Sequence, residues 1–146
     1  VDRDWLPYYE GRTKHPLEEA EKALVDSSGS LFAVGKNLDT KAHPDLLCGE
    51  FLGLWKMDTI GAQVFLENFE KLEETLDVCE PFGQAREWRK SYITDFLQYL
   101  IGNDVCIDCS LVERGWAELD TEQDYRRLSE IAVRQRLSTI SSQGEA

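Results

Sequence analysis

Two carboxylates, Glu118 and Asp120, stand two positions apart beside Trp116, between an alternating run (Val105–Val112) and a charged amphipathic run that reaches about Leu137. If the first run is a strand, the spacing points both carboxylates to one face. Asp120-Thr121 then opens the last helix, with Asp or Thr as its cap. Paired oxygens at a strand end suit a hard cation such as Mg²⁺. The plain alternative is a solvated acidic pair with a helix cap. Asp2 and Asp4 repeat the two-apart spacing at the start of the chain, so four carboxylates are candidate metal ligands.

Other residue types could complete a site. Lys36 follows Gly35 at a strand end, where its amine can reach a phosphate or lie along the surface. Glu50 opens an apolar run after Cys48-Gly49, either as an exposed strand end or as a ligand-binding group. Trp5, Tyr8, Tyr9, Trp55 and Trp116 are either rims of the core or a cage for a quaternary ammonium group. His15 and His43 lie next to prolines and read as exposed loop histidines. There is no serine or cysteine nucleophile motif. There is also no G-x-x-x-x-G-K-S/T and no G-x-G-x-x-G to cradle phosphates.

The elements that must position these groups alternate in type. Val1–Trp5 reads as a strand end, and Leu6–Pro16 as a loop broken by Pro7, Gly11 and Pro16. Glu18–Leu24 has some helical propensity. However, the turn cluster Asp26-Ser27-Ser28-Gly29 favours a hairpin with arms Ala20–Val25 and Ser30–Gly35. Gly49–Lys56 reads as a buried strand. Thr59–Leu76 carries Ile60, Val64, Phe65, Phe69, Leu72 and Leu76 at helical spacing, and Tyr92–Ile101 repeats the pattern. A strand over 105–112 and a helix to about Leu137 follow, leaving 138–146 as a frayed tail. Strands alternating with helices predict one α/β domain over 1–137.

At 146 residues, with 42% hydrophobic and 30% charged residues, the chain suits one globular domain. Its formal net charge of −12 argues against nucleic acid or an anionic membrane as partner. Nucleotide substrates stay open, because Mg²⁺ offsets negative charge locally. No apolar run approaches the roughly 20 residues of a membrane span, and no signal-peptide pattern is present. Cys106 and Cys109 have C-x-x-C spacing, but on a strand they face opposite sides, a poor zinc geometry. Reduced thiols and a cytoplasmic location are therefore expected.

Six stretches, in order, resemble the C-terminal half of a nucleotidyltransferase of the phosphocholine cytidylyltransferase or sugar-phosphate type. They are VDRDW (Val1–Trp5), YEGRTKHPLEEAEKALV (Tyr9–Val25), VGK (Val34–Lys36), GEFLGL (Gly49–Leu54), SYITDFLQYLI (Ser91–Ile101) and GWAELDTEQDY (Gly115–Tyr125). The resemblance implies a Rossmann-like α/β sheet with flanking helices and a β-hairpin. It implies Mg²⁺-dependent transfer of a nucleotidyl group from an NTP, CTP in the phosphocholine type, to a phosphorylated acceptor, with pyrophosphate release. By resemblance, Asp120, with Glu118, matches a metal-binding position and Lys36 the lysine that steadies the acceptor phosphate. Glu50 matches the acceptor pocket, Asp2, Asp4 and Trp5 line the acceptor side with Trp116 beside them, and Asp95 lies in a helix motif.

Members of that family begin with a glycine-rich loop and a strand ending in Gly-Asp, neither of which is found here. The expectation is an acceptor-side half, with the N-terminal nucleotide-binding strands in a longer chain or lost by truncation. The expected partners are an NTP, a small phosphorylated acceptor, and either the missing half or a second copy. The 146 residues alone are then expected to be inactive. A catalytically incomplete binding or interaction module of the same fold is the alternative, and an unrelated acidic α/β domain a third reading.

Overall fold

A hairpin organises the chain. Strand β1 (Lys22–Val25) and strand β2 (Leu31–Gly35) are joined by a turn in which Asp26 Oδ1 accepts from the backbone N–H of Ser28 and Ser30. This aspartate-led turn with Gly29 at φ +90° is the connection predicted between the two arms. β1 is the middle strand of a three-stranded antiparallel sheet ordered β2-β1-β3, where β3 is Leu47–Glu50. Ala23, Leu24 and Val25 on β1 are buried, as a strand covered on both faces requires.

The computed structural model describes residues 1–143, with side chains described through Val133. Among these residues the fold is mixed α/β with four α-helices. A single turn, α1 (Leu6–Tyr9), precedes the hairpin, and α2 (Thr59–Thr75), α3 (Ile93–Gly102) and α4 (Glu122–Gln143) follow β3. α3 lies on β2, and the side chain of Gln98 accepts the edge N–H of Val34 at 2.9 Å. That bond closes an edge position that would otherwise need a partner. Phe96, Leu97 and Leu100 on α3 join Leu72 of α2, Ala23 and Val34 in the main core. A second, smaller cluster gathers Trp5, Tyr9 and Ala20.

Four sequence expectations are corrected. The apolar run 49–56 leaves the sheet after Glu50. Phe51 N–H makes its bond to Glu21 O at 2.7 Å, Gly53 turns away at φ +68°, and Leu54 is 81% exposed. Ile60 was expected on the inner stripe of α2 but is 73% exposed, whereas Leu72 is buried. Residues 105–112 are not a continuous strand. Val105, Ile107 and Cys109 do alternate inward onto the core, but pairing is limited to bridges at Asp108 and Val112. Finally, α4 continues past Leu137 to Gln143, so the tail predicted over 138–146 is helical to that point. Residues 144–146 of that tail lie outside the described residues. No helix among the described residues is long and apolar enough to cross a membrane.

One backbone row positions the site. Lys22 pairs with Gly35 on one side and Glu50 on the other, Asp2 bridges to Glu50, and Val112 bridges to Asp2. At roughly 4.8 Å per neighbour, Gly35 and Asp2 lie about 14 Å apart. Both backbone bonds between Asp2 and Glu50 are 2.9 Å. Gly49 permits this approach: a Cβ there would meet Asp2 O at 2.7 Å and collide with the Val1 side chain.

Candidate functional site

Asp2 is fully buried, and its carboxylate organises the chain around it. Oδ1 accepts from Asp4 N–H at 2.9 Å and Arg114 N–H at 3.2 Å, and Oδ2 accepts from the indole of Trp116 at 2.9 Å. Burial pushes the acid up, but these donors outweigh it and hold Asp2 below the usual carboxylate range. Asp2 thus fixes the Gly115-Trp116 segment from beneath. Asp4 pairs with Arg114, and Trp5 is buried edge-on against Tyr9 at 5.6 Å, behind the site.

Glu50, next in the same row, is 5% exposed and accepts from the hydroxyl of Tyr9. Its pKa is raised, first by burial and also by the charge of Glu118; the Tyr9 hydrogen bond opposes the rise. Glu118 is likewise raised by burial and by the neighbouring Asp120. These two glutamates face one cleft of about 600 Å³, whose walls include Tyr8, Trp116, Arg12, Arg114 and Arg127. Tyr8 and Trp116 lie with ring centres 6.3 Å apart.

The α4 side of the cleft is held by a clasp. Thr121 caps α4: its hydroxyl accepts Asp124 N–H at 3.2 Å, and Asp124 Oδ2 accepts Thr121 N–H at 3.0 Å. Asp120, the alternative cap, is engaged elsewhere. Its Oδ2 lies 3.0 Å from both Arg12 Nη2 and His15 Nδ1. Arg12, with a side chain 7% exposed, also reaches Asp124, donating from Nη2 to Oδ2 at 3.0 Å. Its Nε lies 2.8 Å from Asp124 Oδ1 without an aligned hydrogen bond. Burial alone would lower the guanidinium pKa, but Asp124 and Asp120 raise it. Gln123 accepts from Thr13 N–H and Lys14 N–H, donates to Gly11 O, and so stitches the loop after α1 to the helix.

Of the residues expected to act together, Glu50, Trp116 and Glu118 line the cleft, Asp2 is joined to it through Trp116, and Asp120 stands outside its wall, joined to it through Arg12. Lys36 is not among the residues of the cleft wall. It follows Gly35 on the far side of β1 from Glu50, with its amine 5.1 Å from the Tyr92 ring centre. Asp95 serves the fold, accepting Tyr92 N–H at 2.8 Å and Gln84 N–H at 2.7 Å. Arg12, Arg114 and Arg127 were not singled out in the sequence, and Tyr9 was noted only as one of several aromatics. His15, read as an exposed loop histidine, is half-buried against Tyr9 and Asp120. The available signal was Tyr9-x-x-Arg12 in a loop rich in breakers, opposite an acidic C-terminal stretch.

Mg²⁺ takes one or two carboxylates, keeps several waters and draws its remaining ligands from phosphates. Glu118 and Asp120 are the two acids that the resemblance assigns to the metal. Glu118 has no cationic partner among the described residues, and Asp120 leaves Oδ1 unbonded there while Oδ2 serves Arg12 and His15. No group of three or more acid, histidine or cysteine side chains arranged for a metal occurs among the described residues. No family model, curated protein or solved structure matches the chain.

Proposed function

We propose that this chain is the acceptor-binding part of a Mg²⁺-dependent nucleotidyltransferase of the phosphocholine cytidylyltransferase type. In this reading the three strands are the acceptor side of a larger Rossmann-like sheet. An acceptor phosphate oxygen attacks the α-phosphorus of an NTP, CTP by resemblance, and the bond to the leaving pyrophosphate breaks. The observation that carries the reading is the cleft itself. Glu50 and Glu118, neither paired with a cation among the described residues, stand beside the Tyr8 and Trp116 rings. Carboxylates and aromatic faces in a sheltered cleft attract a quaternary or primary ammonium group, which favours phosphocholine or 2-aminoethylphosphonate over a sugar phosphate.

The residues divide the work. Glu50, Tyr8 and Trp116 receive the cationic end, Glu118 adds its charge to the cleft when no metal is bound, and Asp2 holds Trp116 in place. Arg127 and Arg114, on the cleft wall, are the cations nearest an acceptor phosphate, with Arg114 shared with Asp4; Lys36, which the resemblance assigns to that phosphate, lies at the same end of the sheet but outside the cleft wall. Glu118 and Asp120 would hold Mg²⁺, which when bound neutralises phosphate charge. The location this activity implies is cytoplasmic.

The test has two arms. Calorimetric titration of the 146-residue chain with choline and phosphocholine is expected to show binding of both, weakened at least severalfold by Trp116→Ala. Pyrophosphate release from CTP and Mg²⁺ is then assayed with phosphocholine, 2-aminoethylphosphonate and sugar 1-phosphates, on this chain and on a longer form carrying the nucleotide-binding strands. Turnover is expected in the longer form only. Activity there that survives combined Glu118→Ala and Asp120→Ala would remove the metal assignment. A second reading, a binding module without turnover, is favoured by the engagement of Asp120 with Arg12 and His15. Acceptor binding with no turnover in any form would decide for it.

A further inference from the structure

Tyr9 occupies a junction that the proposed reaction does not itself require. Its hydroxyl donates to Glu50, its ring edge meets Trp5 at 5.6 Å, and the Arg12 guanidinium lies over its face at 4.9 Å. His15 closes the remaining side at 6.2 Å. Tyr9 and Glu50 are both buried, 41 positions apart in sequence, and their side chains meet between the sheet row and the loop clasp. A buried carboxylate with no donor would relax, take a proton or draw in a cation of its own. Arg12 could neutralise it, but Arg12 is committed to Asp120 and Asp124. Among the described residues, the phenol therefore supplies the one hydrogen bond that fixes a Glu50 side-chain oxygen, while adding no positive charge.

We propose that Tyr9 is a positioning residue for cation recognition: it holds the Glu50 carboxylate oriented toward the cleft while leaving its negative charge for an ammonium group. The inference rests on the reading of the cleft as an acceptor site and adds the residue that prepares its charge. An arginine or lysine in place of Tyr9 would satisfy Glu50 equally well and cancel the attraction. A phenylalanine would keep the packing against Trp5 and Arg12 but release the carboxylate. Arg12, stacked on Tyr9 and bound to Asp120, fixes the ring so that the hydroxyl has one direction to point.

The test is a double-mutant cycle on the 146-residue chain, with Tyr9→Phe, Glu50→Gln and the pair, read by choline affinity in calorimetry and by midpoint of unfolding. Tyr9→Phe is expected to weaken choline binding roughly five- to tenfold in the wild-type background and to have almost no effect in the Glu50→Gln background. A purely structural tyrosine would weaken binding equally in both backgrounds, and that result overturns the inference while leaving the acceptor reading intact. A wild-type chain that binds no choline overturns the acceptor reading, and the positioning role falls with it. Unchanged choline affinity in Tyr9→Phe also overturns the positioning role, whatever happens to the midpoint.

Discussion

The indole Nε1–H of Trp116 donates to Asp2 Oδ2 at 2.9 Å, joining two residues 114 positions apart. Asp2 accepts two backbone N–H groups as well, so a single carboxylate ties the start of the chain to the wall of the cleft. Asp2→Ala removes the acceptor for all three donors. The expected loss is about 2–4 kcal/mol of unfolding free energy, measured by urea titration. Asp2→Asn keeps an acceptor oxygen and should lose about half as much. Both variants should weaken choline binding, because Trp116 loses its anchor. Full choline affinity in Asp2→Ala would show that Trp116 holds its place without this bond.

Gly49 is the point where the N-terminal segment crosses close to β3. A Cβ at this position meets Asp2 O at 2.7 Å and the side chain of Val1, and backbone oxygen cannot rotate out of the way. Gly49→Ala is expected to destabilise the chain by about 2–3 kcal/mol. Amide exchange should rise over residues 1–4 and 112–116, which the same row connects. Gly102→Ala is the control: nothing lies within 4 Å, and the last turn of α3 should gain up to roughly 1 kcal/mol.

Arg12 is held by two carboxylates at once, Asp120 at 3.0 Å and Asp124 at 2.8 Å, and covers the Tyr9 ring. Removing this buried cation leaves Asp124 with no cationic partner among the described residues and Asp120 with His15 alone. Arg12→Ala should cost about 3 kcal/mol, with the amides of 120–125 exchanging faster. Arg12→Lys should recover only part of this, because an ammonium cannot fork to two acids and lie flat on a phenol. Lysine that restores full stability and full exchange protection would show that charge alone makes the clasp.

The sequence reading was most accurate where local chemistry decides. The hairpin follows from the Asp26 turn and two apolar arms, and α3 from its inner stripe and its stop at Asn103. It failed where long-range pairing decides. The alternation over 105–112 did predict which side chains face inward, but not that too few neighbours would pair with it for a continuous strand. β3 ends at Glu50, and the chain turns away at Gly53 through a positive φ that the apolar pattern around it concealed. At the site, Glu50, Glu118 and Trp116 stood out by type and spacing. Tyr9 stood out only as one of several aromatics and Arg12 not at all, because their partners lie 41 and 112 positions away, and no periodicity records such contacts.

Stability and cation binding should respond to pH in opposite directions. Glu50 and Glu118 have folded-state pKa values raised above the ordinary glutamate value of 4.5, with burial the largest cause for each. Raised acids stabilise the fold fully below the unfolded value, and that contribution is lost as pH rises through the folded value. Asp2 and Asp124 are lowered from 3.8, because their hydrogen bonds, and Arg12 for Asp124, outweigh burial. Their contribution is present above 3.8 and is lost as pH falls through the depressed folded values. The midpoint of thermal unfolding should therefore climb as pH is lowered from neutral toward the ordinary glutamate range, then fall at stronger acidity. Choline requires the ionised glutamates, so its affinity should rise with pH across the interval in which stability declines. Glu50→Gln should flatten part of both trends, since it removes one of the two titrating acids. Choline affinity independent of pH from about 4.5 to 7 would mean that neither glutamate meets the ammonium group.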